Sequence, residues 1–303
     1  ESLTAVKGFP GVRELWADMP RYLREDFREA RVRLAHELAN LTNRSVVSEA
    51  EQNFYRNPNS ITYVFQAGID ERHSPGDVNF VSPYLFVSRF VDKSGEVLYD
   101  GAEEARQWLE DHPQDRIIIV TNSVLTSDNF LAQSVIDMDM APRLLLSPEM
   151  REAWLSGVEN GELNPAIVQS EEWKRQVSNP RIQIFQTGKL DSDLLVDGGQ
   201  TYGKLHAKFI VAPEFGFVGT SNFDYRSRLL NNEMGFYFAS PGLVKDLNQN
   251  LEYLRATSYL WGSPEWLEMR RKLMEGSGIK ASTTRKQRMI YNTIRALNLK
   301  WLL

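Results

Sequence analysis

Two polar residues two positions apart, His206 and Lys208, begin the stretch of sequence with the clearest chemical character. Apolar runs at residues 209–212 and 215–218 predict two short buried strands joined by a tight turn. On a strand, a spacing of two would place both polar side chains on one face. The second run leads into the small-residue turn 219–222, where Asn222 offers an amide donor. The pattern therefore predicts that a histidine, an ammonium group and an amide converge on one point.

These three side chains suit chemistry at a phosphodiester. A histidine can act as a nucleophile or as a proton donor near neutral pH. An ammonium group and an amide can stabilise the negative charge that develops on the oxygens around phosphorus. Taken singly, each residue has an ordinary alternative: a hydrogen-bonded core histidine at His206, a solvated lysine at Lys208, a turn former at Asn222 and a surface carboxylate at Glu233.

The segment resembles the phospholipase D superfamily, whose motif is H-x-K-x4-D followed by G-[ST]-x-N. The residues that match in order and spacing are His206, Lys208, Gly219, Thr220 and Asn222. Residues 222–227 and 231–235 resemble the N-x-D-x-R-S and N-x-E-x-G segments of the bacterial phospholipase D and cardiolipin synthase branch. H-x-K alone should occur by chance in roughly a third of chains this long, but the combined pattern in roughly one in ten thousand.

The chain departs from the motif at one position. Where the family has Asp, five residues after Lys208, this sequence has Pro213. The family's Asp is regarded as supporting the structure of the motif. We therefore expect the substitution to affect the packing of the turn more than the chemistry.

The resemblance implies a phospholipase D-like α/β fold, with a mixed, mostly parallel sheet flanked by helices. It also implies hydrolysis or phosphatidyl transfer on phospholipids through a phosphohistidine, without a metal or other cofactor. His206 would be the general acid, or either the acid or the nucleophile in a symmetric dimer. Lys208 and Asn222 would stabilise the phosphorane oxygens, and Glu233 would orient a histidine. The predicted substrate-binding residues are Tyr84, Asn122, Thr220 and Ser221.

A single copy of the motif raises the question of a partner. Family enzymes combine two motifs in one site, and none of the other three histidines, His36, His73 and His112, has a lysine two positions later. Either two copies of the chain pair their motifs, or the second motif lies on another chain or fragment. A homodimeric nuclease and a non-catalytic phospholipid-binding half-enzyme are the alternatives to a phospholipid-acting enzyme.

Composition narrows these alternatives. The 303 residues are 42% hydrophobic and carry a formal net charge of −5, which argues against a protein whose whole surface grips nucleic acid. There is no cysteine, so the sequence does not indicate a redox compartment. No apolar run reaches the roughly 18 to 20 residues of a membrane span. The resemblance suggests a bacterial protein that is periplasmic, secreted or peripheral to a membrane.

The elements that should position the motif fall into three predicted regions. Residues 1–60 are predicted to be mainly helical, with an amphipathic helix over 15–41. Residues 61–260 are predicted to form the catalytic domain, with an insertion at about 147–197 that shapes the mouth of the cleft. Residues 261–303 are predicted to be a basic amphipathic tail, which either contacts anionic membrane surfaces or packs as a helix against the core.

Within the catalytic region, hydrophobic patterning predicts strands at 61–65, 78–87 and 117–120 and a helix at 101–111. A further helix is predicted at 241–261. Strand, helix and strand in succession suggest a parallel crossover. Tyr84 and Asn122 would then follow the carboxyl ends of strands, where α/β sheets usually place ligand sites.

Overall fold

A large mixed sheet organises the protein. The computed structural model describes residues 31–36, 60–85, 87, 89–91, 96–156, 164–198, 204–229, 231–297 and 299. The strands are β1 (Arg31–His36), β2 (Asp77–Val81), β3 (Arg89–Val91), β4 (Val97–Asp100), β5 (Arg116–Thr121), β6 (Ile182–Thr187), β7 (Phe209–Val211), β8 (Gly216–Gly219), β9 (Met234–Ala239) and β10 (Ser258–Leu260). Eight of them form one sheet in the order β1-β9-β8-β7-β2-β5-β6-β10, and β3 pairs with β4 separately.

Helices cover both faces of this sheet. They are α1 (Ile61–Glu71), α2 (Gly101–Asp111), α3 (Phe130–Val135), α4 (Ala141–Leu145), α5 (Pro148–Ser156), α6 (Pro165–Val168), α7 (Glu171–Val177), α8 (Ser192–Val196), α9 (Tyr225–Leu229), α10 (Pro241–Ala256), α11 (Pro264–Glu275), α12 (Ile279–Arg285) and α13 (Gln287–Ala296). A π-helical turn, Ile136–Met140, joins α3 to α4. Several helices begin where a side chain accepts from the first-turn backbone, as Ser60 does for α1 and Asp100 for α2.

The α/β class and the mixed character of the sheet agree with the sequence prediction, but the expectation of mostly parallel strands is wrong. Among the described strands of the large sheet, only β2–β5 and β5–β6 are parallel pairs. The other five pairs are antiparallel. The motif region accounts for much of this difference, because the short turn between β7 and β8 can join only antiparallel strands.

The core lies in layers on the two sides of the sheet. On one face, Val78 and Ile210 pack with Ile61 and Val64 of α1, while Ile117 joins the larger cluster under α2. On the other face, Val81, Val120 and Phe209 pack with Val244 and Leu251 of α10. The alternation follows from the two-residue repeat of strands, which sends neighbouring side chains to opposite faces.

Three predicted elements differ from those observed. Residues 61–65 form the first turn of α1, because Ser60 caps a helix whose buried residues Ile61, Val64 and Ile69 recur at helical spacing. Residues 31–36, predicted as helix, form strand β1, which pairs with β9 along the sheet edge. The rest of the predicted helix over 15–41 lies outside the described residues. The predicted helix 241–261 ends at Ala256, and β10 follows it.

The remaining predicted elements agree more closely with the structure. The helix at 101–111 and the strand at 117–120 are confirmed as α2 and β5. The strand predicted over 78–87 is shorter, because β2 ends at Val81, two residues before Pro83. The segment 147–197, predicted as an insertion, supplies the internal strand β6 and the buried Trp154 and Trp173.

The C-terminal helices α11, α12 and α13 pack on the core. Arg270 is 2% exposed and pairs with Asp137 at 3.0 Å. Tyr291 and Ile294 of α13 belong to the main hydrophobic cluster. These contacts support the packing alternative for this region. In the described parts of the chain, no helix is both long enough and apolar enough to span a membrane.

Candidate active site at one edge of the sheet

The motif segments meet at one edge of the large sheet, the edge formed by the ends of β2, β5 and β8 and the beginnings of β7 and β9. The last residue of β2, Val81, is opposite Phe209, the first residue of β7. The end of β8 and the start of β9 are opposite each other through Gly219 and Gly235. β5 runs parallel to β2 and ends at Thr121 on the same edge. The topology therefore brings together sequence segments around residues 82, 122, 206, 220 and 233.

Asn122 fixes the segment that leads into the motif. Its side chain is buried, and Nδ2 donates to the carbonyl oxygens of Pro83 and Leu205, each at 3.0 Å. The Leu205 backbone N–H donates back to Oδ1 at 3.2 Å. Asn122 was predicted to bind substrate, but these bonds occupy its amide with the backbone beside His206. The geometry supports a positioning role.

His206 and Lys208 lie just before β7. The sequence prediction placed them within a strand, but β7 begins at Phe209 and residues 204–208 form no regular element. His206 is exposed, and the Lys208 ammonium group donates to its carbonyl oxygen at 2.8 Å. Both residues therefore precede the same end of β7.

Three carboxylates influence the charge of Lys208. Partial burial lowers the pKa of Lys208, because desolvation disfavours the ammonium form. Attraction to Glu233, Asp224 and Asp128 opposes that effect and raises the pKa. The acids come from separate segments, so folding brings all three within electrostatic reach of this lysine.

The turn after β8 is held tightly from several directions. A Cβ on Gly219 would lie 2.5 Å from the Phe217 ring and 2.8 Å from the Met234 carbonyl oxygen, so this position needs glycine. The Thr220 N–H donates to that same carbonyl oxygen at 2.9 Å. Ser82 Oγ donates to the Asn222 carbonyl oxygen at 2.5 Å.

Asn222 has a fixed backbone and a side-chain oxygen without a partner. Its N–H donates to Ser227 Oγ at 3.2 Å. The next residue, Phe223, has a φ of 54°, which turns the chain toward α9. Among the described residues, Asn222 Oδ1 is buried and has no hydrogen-bond partner. Buried polar groups normally have one, so this oxygen can accept a hydrogen bond from a donor group of a ligand, and only the amide Nδ2 could donate to a phosphate oxygen.

Glu233 contacts the predicted substrate-binding residue Thr220. The carboxylate is 6% exposed and accepts from Thr220 Oγ1 and, at 3.2 Å, from Asn231 Nδ2. Ser221, also predicted to bind substrate, is 3% exposed, and its Oγ accepts from the Phe223 N–H. Both hydroxyls thus stabilise the turn. The expectation that Glu233 orients a histidine stays a prediction.

Tyr84 faces the same edge through Asp128. Its hydroxyl donates to Asp128 Oδ1 at 2.8 Å. Burial and the neighbouring Asp128 carboxylate raise the pKa of Tyr84, so it remains a donor across the physiological range. Ser82 and Asp128 were not among the predicted site residues, although Ser82 is two residues before Tyr84 and Asp128 is six residues after Asn122. Their hydrogen bonds, from Ser82 to Asn222 and from Tyr84 to Asp128, form only in the folded protein and identify them as part of the site.

The turn that contains Pro213 forms despite the departure from the motif. The Ala212 N–H donates to the Phe215 carbonyl oxygen at 2.9 Å, which closes the hairpin between β7 and β8. The neighbouring Glu214 accepts from the His73 N–H at 3.0 Å. The hairpin thus has local support without the family's Asp. In the described parts of the chain, no group of three His, Asp or Glu side chains could hold a metal ion.

Comparison with known proteins gives structural likenesses only. No family model and no curated protein matches the chain. It is similar to the phosphatidylserine synthase of Haemophilus influenzae, with a TM-score of 0.47 and 10% identity over 90% of this chain and 48% of that one. This chain therefore spans about half the length of that synthase.

Two shorter proteins are similar over almost their whole length. NucT from Helicobacter pylori has a TM-score of 0.38 and 11% identity, over 76% of this chain and 99% of that one. Nuc from Salmonella typhimurium, described as a phospholipase D family member, has a TM-score of 0.38 and 10% identity, over 77% and 99%. Because all three TM-scores are below 0.5, we base the functional proposal on the motif residues and their geometry.

Proposed function

We propose that this protein carries out phosphodiester chemistry of the phospholipase D type, as a hydrolase or phosphatidyltransferase acting on phospholipids. The observation that carries the proposal is the convergence of the motif residues at one sheet edge. There His206 is exposed, three carboxylates act electrostatically on Lys208, and Asn222 lies in the turn that directly follows β8. The strand register supports the proposal, because the segments that carry these residues begin or end at the same edge of the sheet.

The reaction would proceed in two displacements. In the first, an imidazole nitrogen attacks phosphorus, the bond to the leaving alcohol breaks, and a second histidine gives that alcohol its proton. In the second, water or another alcohol loses a proton to that histidine and attacks phosphorus, and the phosphorus–nitrogen bond breaks. Lys208 would stabilise the phosphorane oxygens by charge-assisted hydrogen bonds, and Asn222 by amide hydrogen bonds.

The reaction needs a second histidine, which we propose comes from another motif. A second copy of this chain would supply it as His206 of that copy. A different chain or fragment could supply it instead. In the first arrangement either copy of His206 can be the nucleophile; in the second, His206 serves as the acid.

An apolar cavity supports phospholipid as the substrate class. It has a volume of about 510 Å³ and lies between α1, α2 and the sheet. Its lining includes Phe65, Phe80 and Trp108, together with Phe223 from the motif turn. One wall of the cavity, at Phe223, therefore lies next to the motif turn, and its apolar lining would suit an acyl chain. A peripheral membrane contact would follow from that substrate.

Turnover of a phosphatidyl substrate tests the proposal. We expect the wild-type chain, alone or with a second motif, to release the headgroup, and His206→Ala to lose activity by a factor of about 10² to 10⁴. His73→Ala is the matched control, because His73 is an exposed histidine before β2, at the opposite end of that strand. The native mass of the same sample would show whether two copies pair.

Other outcomes would replace the proposal. Cleavage of labelled DNA or RNA with steep salt dependence, and none of lipid, would indicate the homodimeric nuclease. Vesicle binding that is unchanged in His206→Ala, with no turnover under any condition, would indicate a non-catalytic binding half. Equal activity in His206→Ala and wild type would exclude the phosphohistidine route.

A further inference from the structure

Two lysines share a pair of cavities beside the motif. Lys204 and Lys280 both line a cavity of about 290 Å³ and an adjoining one of about 560 Å³. Lys204 is two residues before His206, which limits the separation of their Cα atoms to about 7 Å. Asp128, which contacts Tyr84 and attracts Lys208, also lines the smaller cavity. The cavity therefore lies beside the candidate active site.

In the described part of the chain, the acid that lines a cavity with the two lysines is Asp128, which accepts a hydrogen bond from Tyr84. No ion pair is present there for Lys204 or Lys280, and the Lys280 ammonium group instead donates to the Leu125 carbonyl oxygen. Burial, together with repulsion from Lys204, lowers the pKa of Lys280. An anion between two cations would remove this repulsion, and charge-assisted hydrogen bonds from ammonium groups are among the strong ones.

Other side chains that line the smaller cavity can accept hydrogen bonds from the hydroxyl groups of a ligand. Thr283 and Thr284 use their hydroxyl protons on helix carbonyls, so each oxygen can accept a further hydrogen bond. Gln133 also lines the cavity. It is 1% exposed, its Nε2 donates to Asp137 at 3.2 Å, and its Oε1 is buried without a partner in the described residues. An acceptor of this kind suits a ligand hydroxyl.

We propose that this cavity is a binding subsite for a phosphorylated polyol, which would form the polar part of the substrate beyond the scissile phosphate. The role as a subsite rests on the proposed function, but the binding can be measured without turnover. The lysines would hold the second phosphate, and Gln133 and the threonines would accept from hydroxyls. A cavity of about 290 Å³ matches a group of this size rather than a whole lipid.

Titration calorimetry with sn-glycerol 3-phosphate tests the proposal. We expect Lys204→Gln and Lys280→Gln each to raise the Kd about tenfold or more, because each removes a charge-assisted contact. Lys245→Gln is the matched control, since it removes the same charge from an exposed position of α10. Inorganic phosphate should bind about tenfold more weakly than the polyol phosphate. An unchanged Kd in the lysine variants, or equal affinity for inorganic phosphate, would overturn the proposal.

The lysine variants differ in their effect on stability, and a vesicle assay extends the calorimetric test to lipids. If Lys280→Gln has a lower melting temperature because its bond to Leu125 is lost, the Lys204→Gln variant decides the result, since Lys204 is exposed. Phosphatidylcholine vesicles with phosphatidylinositol 4-phosphate, compared with phosphatidylinositol, distinguish a lipid headgroup from a soluble polyol phosphate. Lysine-dependent binding to either source supports the subsite, and its absence from both overturns it.

The two proposals fail in distinguishable ways. His206→Ala should keep the binding of sn-glycerol 3-phosphate while it loses turnover. Lysine-dependent binding by a chain that never turns over phosphodiesters would support the cavity and contradict the proposed function. Turnover that needs His206, with ligand binding unchanged in both lysine variants, would do the reverse.

Discussion

The charge of Lys208 depends on its burial and on three carboxylates. Burial lowers its pKa, and Glu233, Asp224 and Asp128 hold the pKa up. In the proposed reaction, a phosphate group needs the charged form of this lysine, so the three acids would help to keep the site active as pH rises. Their contribution can be tested separately from catalysis.

Glu233→Gln should lower the pKa of Lys208 further. The substitution removes a negative charge that favours the ammonium form, so the lysine would lose its proton at lower pH, and the alkaline limb of activity would shift the same way. The pH dependence of Lys208 labelling by an amine-reactive reagent, read by mass spectrometry, measures this. Glu268→Gln, an exposed acid on α11, is the control. A midpoint that stays constant or rises would contradict the assignment.

Asn122 provides a second test at the level of one residue. Asn122→Ala would leave the Leu205 N–H and the Leu205 carbonyl oxygen without their partner, while the Pro83 carbonyl oxygen would keep its bond from Thr121 Oγ1. We expect the free energy of unfolding to fall by about 1–3 kcal/mol. Urea denaturation measures the loss.

Asn250→Ala is the matched control for Asn122, because its amide bonds a backbone carbonyl on the exposed surface of α10. It should change stability by less than about 0.5 kcal/mol. Equal effects of the two substitutions would argue that Asn122 does not hold the motif segment.

At the level of elements, the β7–β8 hairpin and the turn after it require the backbone at Gly219 to lie close to the backbone of β9. Gly219→Ala would place a Cβ 2.8 Å from the Met234 carbonyl oxygen, and a backbone atom cannot move away easily. We expect a loss of about 1–3 kcal/mol in the free energy of unfolding, measured by urea denaturation. Activity should fall as well, because the same turn presents Asn222.

Gly68→Ala is the matched comparison for Gly219. Its Cβ would lie 3.3 Å from the end of the Phe215 ring, which a small side-chain shift can accommodate. Alanine also favours the helix interior of α1 by about 0.5–1 kcal/mol. We therefore expect a change smaller than about 1 kcal/mol. A large loss here and none at Gly219 would contradict this description of the two positions.

Two elements differ in type from those that the hydrophobic pattern of the sequence predicted. The run at 61–65 has the β-branched and aromatic residues typical of a strand, yet the Ser60 cap and the buried positions Ile61, Val64 and Ile69 belong to a helix. Residues 31–36 form a strand because β9 offers a free edge for pairing. Helix α2 was predicted at its observed bounds, since the acidic cap Asp100 and the acids of its first turn are local signals.

At the scale of the whole molecule, a buried ion pair joins the C-terminal helices to the core. Arg270 of α11 pairs with Asp137 of the π-helical turn, and Gln186 and Gln287 donate to the same carboxylate. Trp266 lies under the guanidinium group at 4.7 Å. The region predicted as a basic tail is thus part of the packed structure over residues 264–297.

Asp137→Ala should destabilise the molecule strongly. It would leave the Arg270 charge buried without its partner, at a cost of about 3–5 kcal/mol. Glu268→Ala breaks an exposed pair with Arg271 on the same helix and should change stability far less, because solvent screens such a pair. Chemical denaturation of both variants compares them, and similar midpoints would show that the buried pair does not anchor these helices.

The sequence by itself determined the identity of the chemical groups. Fixed spacing selected His206, Lys208 and Asn222, and local signals selected the strands at β5, β7 and β8 and the helix α2. Such signals are read within about ten residues, so they need no knowledge of the fold. The same local reading suggested direct substrate contact for Asn122, Thr220 and Ser221.

Only the tertiary structure decided how those groups are used. Asn122 bonds to Leu205, which is 83 residues away in the chain, and Ser82 bonds to Asn222 across 140 residues. Lys204 and Lys280 meet at one cavity although no motif connects them. Strand pairing and burial set these contacts, and their energies depend on groups that are distant in sequence. For this reason local patterning identified the motif, while the positioning residues, the surrounding acids and the lysine-lined cavity became visible only in the fold.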